Sequence, residues 1–293
     1  MGSDAAGDDA AGEAPDARDA DVADKADDAV IGDRPVRLDA FCGGGFSLYQ
    51  PKGWGYRSGL DAMLLAACVA EGFDGRIADL GAGSGAAGFA AAHRAPAARV
   101  TLAEVQPTMA ALCRRSLTFA GNAAVASRIA VAEVDLRTAR GSREAAGLAD
   151  AGFDLVLTNP PFHAPGDRRP PDPVRDRALF ASDDLPLARW FAVAAALLSG
   201  KGRLVAVLRT DCLGPAIAAL DGRSGGRLGG VTVLPVHTRA GAPAERILIA
   251  AAKDSRAPLT LIEAIVLNDA AGRPTLLSDA IAGGRATLAL AAR

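Results

Sequence analysis

An α/β fold built on a seven-stranded, mostly parallel sheet with an antiparallel last strand is predicted by three features of this 293-residue chain. Short apolar runs alternate with helix-period segments between residues 76 and 208, the pattern of strands covered on both faces by crossover helices. Asp79-Leu-Gly81-Ala-Gly83-Ser-Gly85 ends the first of those runs and opens a helix, leaving bare backbone at the carboxyl edge of the sheet, where open α/β sheets bind ligands. Two late runs, Gly230 to Val236 and Arg246 to Ala252, are joined by a segment containing Gly241 and Pro243 that is too short for a crossover helix, so they pair antiparallel.

The elements follow in order. Residues 1–35 carry eleven Asp/Glu against three Lys/Arg, a net of −8, with no aromatic residue. Such a segment buries too little apolar surface to offset the entropy of ordering and reads as a disordered acidic tail. Residues 36–72 form a lead-in. Phe46 to Tyr49 is a short strand, Gln50-Pro-Lys-Gly-Trp-Gly-Tyr56-Arg57-Ser-Gly follows, and a helix then carries Leu60, Leu64, Ala67 and Cys68 on one face with Ser58 as its candidate cap. The main domain spans 73–253, with strands at 76–80, 99–105, 128–134, 153–158 and 203–208 before the antiparallel pair. The helix ahead of the fifth strand places Leu187, Trp190, Phe191, Ala194, Leu197 and Leu198 on one face, and Gly200 ends it. Residues 254–293 read as an extension: a strand from Leu259 to Leu267, a turn and a short helix.

Half of the residues are apolar, enough for a sizeable core. No run approaches the roughly 18 apolar residues of a membrane span, and the acidic N-terminus lacks the basic and apolar regions of a signal peptide, so a soluble, cytoplasmic protein is expected. A monomer is the expected state. Cys42, Cys68, Cys113 and Cys212 lie far apart without a Cys-x-x-Cys pair, which argues against a metal site or a disulfide framework. Beyond the tail the balance is 29 basic to 23 acidic residues, or +6. That suits a polyanionic partner and equally suits scattered solubilising arginines.

The glycines Gly81, Gly83 and Gly85 let the chain approach a nucleotide-like cofactor, but they do not say which. Gly83-x-Gly85-x-x-Gly88 satisfies the dinucleotide fingerprint, so NAD stays open beside S-adenosylmethionine. Asp79 at the strand end is placed to neutralise the amino acid part of a zwitterionic ligand. Glu104 binds ribose hydroxyls or is a plain strand end, Asp135 accepts from an adenine amino group or caps a helix, and Asp61 meets the cofactor's methionine end or completes a cap.

Asn159-Pro160-Pro161-Phe162 directly follows the strand 153–158. An Asn side-chain oxygen and the Pro160 carbonyl can accept both hydrogens of a planar amino group, directing its lone pair outwards, while Phe162 stacks on the plane. Methyl transfer from a sulfonium is an in-line displacement that needs positioning and desolvation more than a base, so His163 reads as a loop residue.

Together Gln50-Pro-Lys, Gly-Tyr-Arg-x-Gly-Leu-Asp61-Ala, the glycine loop, Asn-Pro-Pro-Phe and Arg239-Ala-Gly-x-Pro-Ala-x-Arg246-Ile-Leu resemble the bacterial tRNA(Val) adenine-N6 methyltransferase family over residues 36 to 268. The resemblance implies a Rossmann-like class I AdoMet-dependent methyltransferase fold, S-adenosyl-L-methionine (AdoMet) as cofactor, RNA and above all tRNA as partner, and adenine N6 as acceptor. It implies a cofactor site of Asp61, Asp79, Gly81, Gly83, Gly85, Glu104, Asp135 and Asn159, a catalytic loop of Asn159, Pro160, Pro161 and Phe162, and RNA contacts at Tyr56, Arg57, Arg168, Arg169, Arg239 and Arg246. Phe162 stands where Tyr is commoner and keeps the stacking plane. Arg168, Arg169, Arg175 and Arg177 clamp phosphates or pair with the interleaved Asp167, Asp172 and Asp176. The rival acceptors are an rRNA guanine and a protein glutamine. A release-factor methyltransferase would be expected to carry a helical N-terminal domain where this chain has residues 36–78. An NAD-dependent oxidoreductase is the rival of another class, and it leaves Asn-Pro-Pro-Phe unexplained.

Overall fold

The computed structural model describes residues 29–161, 169–179, 185–220 and 228–290. Strands β1 (Val30–Ile31), β2 (Arg34–Phe41) and β3 (Phe46–Pro51) form a small antiparallel sheet. The tail expected over 1–35 therefore gives way to structure at its end, because Ile31 joins Val36, Met109 and Leu112 in a small apolar cluster. Residues 1–28 lie outside the described residues. Along β3, Phe46 and Leu48 point inwards, and Phe46 stacks on Phe41 and Phe89 at 5.4 and 5.8 Å. The packing sets the small sheet against the main one.

Helix α1 (Leu60–Ala67) leads into the large sheet. Its units are β4 (Arg76–Leu80), α2 (Ala86–Arg94), β5 (Arg99–Glu104), α3 (Pro107–Leu117), α4 (Ala123–Ala126), β6 (Ile129–Glu133), α5 (Arg140–Ala145) and β7 (Phe153–Thr158). There follow α6 (Pro173–Leu179), α7 (Leu187–Leu197), β8 (Leu198–Arg209), α8 (Leu213–Leu220), β9 (Leu228–His237) and β10 (Arg246–Lys253). The order β9-β10-β8-β7-β4-β5-β6 puts β4 between β5 and β7, so strand order reverses there and a crevice opens at the carboxyl ends of β4, β5 and β7. Strands β4 to β8 are mutually parallel, and β10 runs antiparallel to both β8 and β9. This is the Rossmann-like class I methyltransferase fold.

Among the described residues nine strands make up this sheet rather than seven. The run expected as one strand from Leu259 to Leu267 splits into β11 (Thr260–Leu261) and β12 (Ile265–Val266), both parallel to β9. Thr260 pairs with Thr232 but Ile265 pairs with Val236, so one extra residue lies between the two pairings and interrupts the ladder. The chain ends, within the described residues, after α9 (Leu276–Ala282), capped by the Thr275 side chain.

Two apolar layers flank the sheet. Leu64, Phe89, Leu102 and Val205 belong to one, and Ala78, Trp190, Phe191 and Leu204 to the other. Alternate residues of each strand thus feed opposite layers. Two boundary readings need correction. Helix α7 stops at Leu197 because Leu198 turns extended (φ −68°, ψ 137°) and starts β8, so Gly200 is not its end. Ser58 does not cap α1, whose first turn follows Gly59; its hydroxyl goes elsewhere. Among the described residues no helix is long and apolar enough to cross a membrane, and no group of three or more His, Cys, Asp or Glu is placed to hold a metal.

Candidate active site

A cavity of about 320 Å³ fills the crevice at the carboxyl ends of β4, β5 and β7. Its floor is the glycine loop. Gly81, Gly83 and Gly85 take φ of +73°, +58° and +90°, a region that other residues enter only with strain. Gly81 and Ala82 both donate to the Ala103 carbonyl, at 2.9 and 3.0 Å, which folds the loop over β5. Different glycines answer different demands. A Cβ on Gly83 would meet nothing nearer than 3.9 Å, so internal packing does not require that bare backbone. One on Gly88 would fall 2.1 Å from Leu102, so the third glycine of the apparent dinucleotide fingerprint is there to let α2 lie close on β5.

Two carboxylates hold this floor. Asp79 Oδ2 accepts from Gly88 N at 2.9 Å, and Glu104 accepts from Gly83 N and Gln106 N, both at 2.8 Å. Asp79 is 2% exposed and Glu104 5%. Burial lifts the Asp79 carboxyl to about 7, with the Gly88 amide opposing and Glu104 reinforcing the shift. Burial also raises Glu104, against the backbone amides that favour its charge. Glu104 is therefore no exposed strand end: it lines the cavity and braces the loop.

Gln50, 1% exposed, was legible only as part of a motif. Its Oε1 accepts from Ser58 N at 2.8 Å and Ser84 Oγ at 3.2 Å, and its Nε2 donates to Asp39 at 2.9 Å. Ser58 Oγ and Ser84 Oγ lie 3.1 Å apart. The small sheet is thereby fastened to the glycine loop, and the segment 55–59 becomes a wall of the cavity. Trp190 closes another side: Nε1 donates to Thr158 Oγ1 at 3.0 Å, Thr158 donates to Leu80 O at 2.8 Å, and the indole lies where a Gly81 Cβ would come within 3.2 Å. One tryptophan thus ties the end of β7 to the end of β4.

Helix α6 lies over the opening. Asp172 accepts from Val174 N and Arg175 N at 3.3 Å and from Gly55 N, and pairs with Arg34 at 3.6 Å. Gln106 Nε2 donates to Val174 O at 3.3 Å. Arg177 lines the cavity, 3.9 Å from the Asp135 carboxylate, and Asp135 is gripped by Arg137 at 2.6 to 3.1 Å. The Arg137 hydrogen bonds pull the Asp135 carboxyl below its ordinary value.

Asn159 and Pro160 leave the end of β7 and face this cavity, as does Pro161. Asn159 Oδ1 is buried and accepts no hydrogen bond. A buried acceptor without a donor costs on the order of 1–3 kcal/mol, and of the buried polar atoms without a partner among the described residues this is the one whose residue lines the cavity, where a ligand can supply the donor. Across the cavity stand Tyr56 and Asp61, and Arg246 pairs with Asp61 at 3.4 Å.

Other expected RNA contacts are dispersed. Arg57 is exposed and pairs with Asp39 at 2.8 Å, Arg169 pairs with Asp176 at 3.2 Å, and Arg239 is exposed in the β9–β10 connection, off the cavity. Arg177, half-exposed, stands at the cavity's edge beside Asp135. Phe162, His163, Asp167 and Arg168 lie outside the described residues.

The sequence of residues 58–217 matches the model of the methyltransferase small domain. The chain belongs to that family. This methyltransferase is 34% identical over 165 residues to a tRNA1(Val) (adenine(37)-N6)-methyltransferase of Porphyromonas gingivalis, covering 55% of this chain and 62% of that protein. It is also 34% identical over 136 residues, 44% of each chain, to a release factor glutamine methyltransferase of Deinococcus radiodurans. The chain thus spans less than two thirds of the curated relatives it matches. Among solved structures, a predicted O-methyltransferase of Agrobacterium tumefaciens superposes with a TM-score of 0.66 at 36% identity, over 78% of this chain and 98% of that one. Family membership sets aside the NAD alternative and makes AdoMet the cofactor. The residues fit it: a bare glycine floor with room above Gly83, two buried acids beside it and a cavity of adequate volume.

Proposed function

We propose that this methyltransferase modifies the exocyclic amino nitrogen of a nucleic-acid base, foremost N6 of adenine in tRNA. The observation that carries the reading is the buried, unpartnered Oδ1 of Asn159 in the cavity that also holds the glycine loop. Glu104, Asp79 and the Gly81–Gly85 backbone would hold AdoMet, with Asp61 and Asp135 at its two ends. When bound, that cofactor supplies a methyl group on a positively charged sulfur, already electrophilic. The protein's task is then at the nitrogen. Asn159 Oδ1 accepts one amino hydrogen and the Pro160 carbonyl the other, which pulls the lone pair out of conjugation and stabilises the positive charge that grows as the bond forms. Trp190, through Thr158, keeps β4 and β7 in register, so donor and acceptor stay aligned. Helix α6 excludes water, and the proton released afterwards passes to solvent.

Adenine in tRNA is favoured over the other acceptors by the Porphyromonas relative, which matches more of this chain than the glutamine methyltransferase does. The test is to incubate the protein with labelled AdoMet and total tRNA, digest the RNA and identify the labelled nucleoside. N6-methyladenosine is expected; label in guanosine, or in release factor added to the same mixture, would replace adenine as the acceptor.

A further inference from the structure

We propose that Asp172 is a positioning residue whose carboxylate latches helix α6 to the cavity wall at residues 55–59, and so sets how long the cavity keeps its cofactor. The proposal concerns retention of AdoMet and stands whichever acceptor the protein methylates.

Helix α6 does not hold its own place. It has seven residues, none of them buried, and a helix that short is marginal in water. Yet Val174, Arg177, Ala178 and Leu179 line the cavity, so ties from outside the helix must fix it there. Val174 packs against the cluster of Val36, Met109 and Leu112, and Gln106 Nε2 donates to the Val174 carbonyl at 3.3 Å. Asp172 adds the tie that reaches the wall carrying Tyr56, Ser58 and Gly59.

That carboxylate works in two directions. As the cap of α6 it accepts from Val174 N at Oδ1 and from Arg175 N at Oδ2, both at 3.3 Å, while its main-chain carbonyl takes the first intrahelical bond, from Asp176 N at 2.8 Å. Oδ2 accepts also from Gly55 N, 117 positions away in the chain. A helix cap has no need of that second donor. Gly55 sits at φ +59°, and a Cβ there would come 3.0 Å from Pro51 Cγ and 3.5 Å from Val174 Cγ1, so bare backbone lets the helix come up to the wall. From β2, Arg34 Nη1 lies 3.6 Å from Oδ1, with its guanidinium over the Trp54 ring at 4.9 Å. This partly exposed ion pair orients the carboxylate and adds little energy, whereas an amide donating to a carboxylate is a strong hydrogen bond. Helix and wall therefore move as one piece while the bond holds, and the cavity opens between them when it breaks.

Two substitutions separate the latch from the cap. Asp172→Ser keeps a capping oxygen but is too short to reach Gly55; Asp172→Ala keeps neither. Bound labelled AdoMet, chased with an excess of unlabelled AdoMet, should dissociate roughly tenfold faster or more from both variants than from the wild type, with association within about twofold. Melting temperatures should stay close to that of the wild type, because α6 buries no residue. In the cofactor-free protein the Gly55 amide should exchange with solvent roughly tenfold faster in both variants. A dissociation rate that Asp172→Ser leaves at the wild-type value, while Asp172→Ala raises it, would overturn the proposal and leave Asp172 a plain cap. Unchanged dissociation in both, or unchanged Gly55 exchange, would overturn it as well.

Discussion

The two sides of the cavity differ in how far the protein satisfies itself. On the cofactor side each carboxylate that lines the floor has backbone donors: Gly88 for Asp79, and Gly83 and Gln106 for Glu104. On the acceptor side Asn159 Oδ1 has none. The difference is instructive, since the same fold that supplies donors to two buried carboxyl groups leaves a neutral amide oxygen wanting. The cofactor floor is preorganised by the chain alone, whereas the acceptor side is completed only by what it binds. A stored deficit of this kind is characteristic of functional sites.

The sharpest way to break the comparison is Asn159→Ala. It should lower kcat by roughly 10²–10³-fold, as loss of a transition-state hydrogen bond does, yet leave thermal stability equal to the wild type or higher, because the deficit goes with it. A loss of stability on calorimetry would mean that Oδ1 is satisfied after all. Gly85→Ala probes the other side. With φ at +90° and a new Cβ only 3.0 Å from Leu102, it should destabilise the fold by roughly 1–3 kcal/mol in denaturant unfolding, with cofactor affinity falling as the loop shifts. Trp190→Phe removes the donor to Thr158 and should lower stability by about 1 kcal/mol, reducing turnover through misalignment of β4 and β7 rather than through binding.

A subtler effect follows from Asp79. Its folded-state value of about 7 lies above the ordinary carboxylate value of 3.8, so the folded protein holds a proton that the unfolded chain has lost across that interval. Stability from this group is therefore present below the unfolded value and is lost as pH rises towards 7. Asp79→Asn, neutral throughout, should match the wild type near pH 4 and gain on it up to about pH 7, then run parallel. Melting curves at several pH values check this, and a gap that is constant with pH would show that Asp79 is ionised in the fold.

Much of this was legible in the sequence. The strands Arg76–Leu80 and Phe153–Thr158 coincide with β4 and β7, because apolar runs buried on both faces are bounded by sharp polar or glycine signals. The glycine loop, Glu104 and Asn159 were found because their chemistry is written in consecutive residues. What escaped is relational. Gln50, Ser84, Thr158 and Trp190 act through partners 26 to 78 positions away, and no local pattern announces such pairs. Ser58 shows the same limit: its type suggested a helix cap, but the neighbouring Ser84 hydroxyl claims it. Arg177 reads as a phosphate ligand or the partner of an acid interleaved in its own loop, and the acid beside it, Asp135, lies 42 positions away.

The most direct test of the division between the two sides is a calorimetric titration of AdoMet into Asn159→Ala and Glu104→Ala beside the wild type. Affinity within a few fold of the wild type for Asn159→Ala, against a loss of roughly tenfold or more for Glu104→Ala, is the predicted result. Equal losses, or the greater loss in Asn159→Ala, would contradict it, since the acceptor side would then be part of the cofactor's own binding surface.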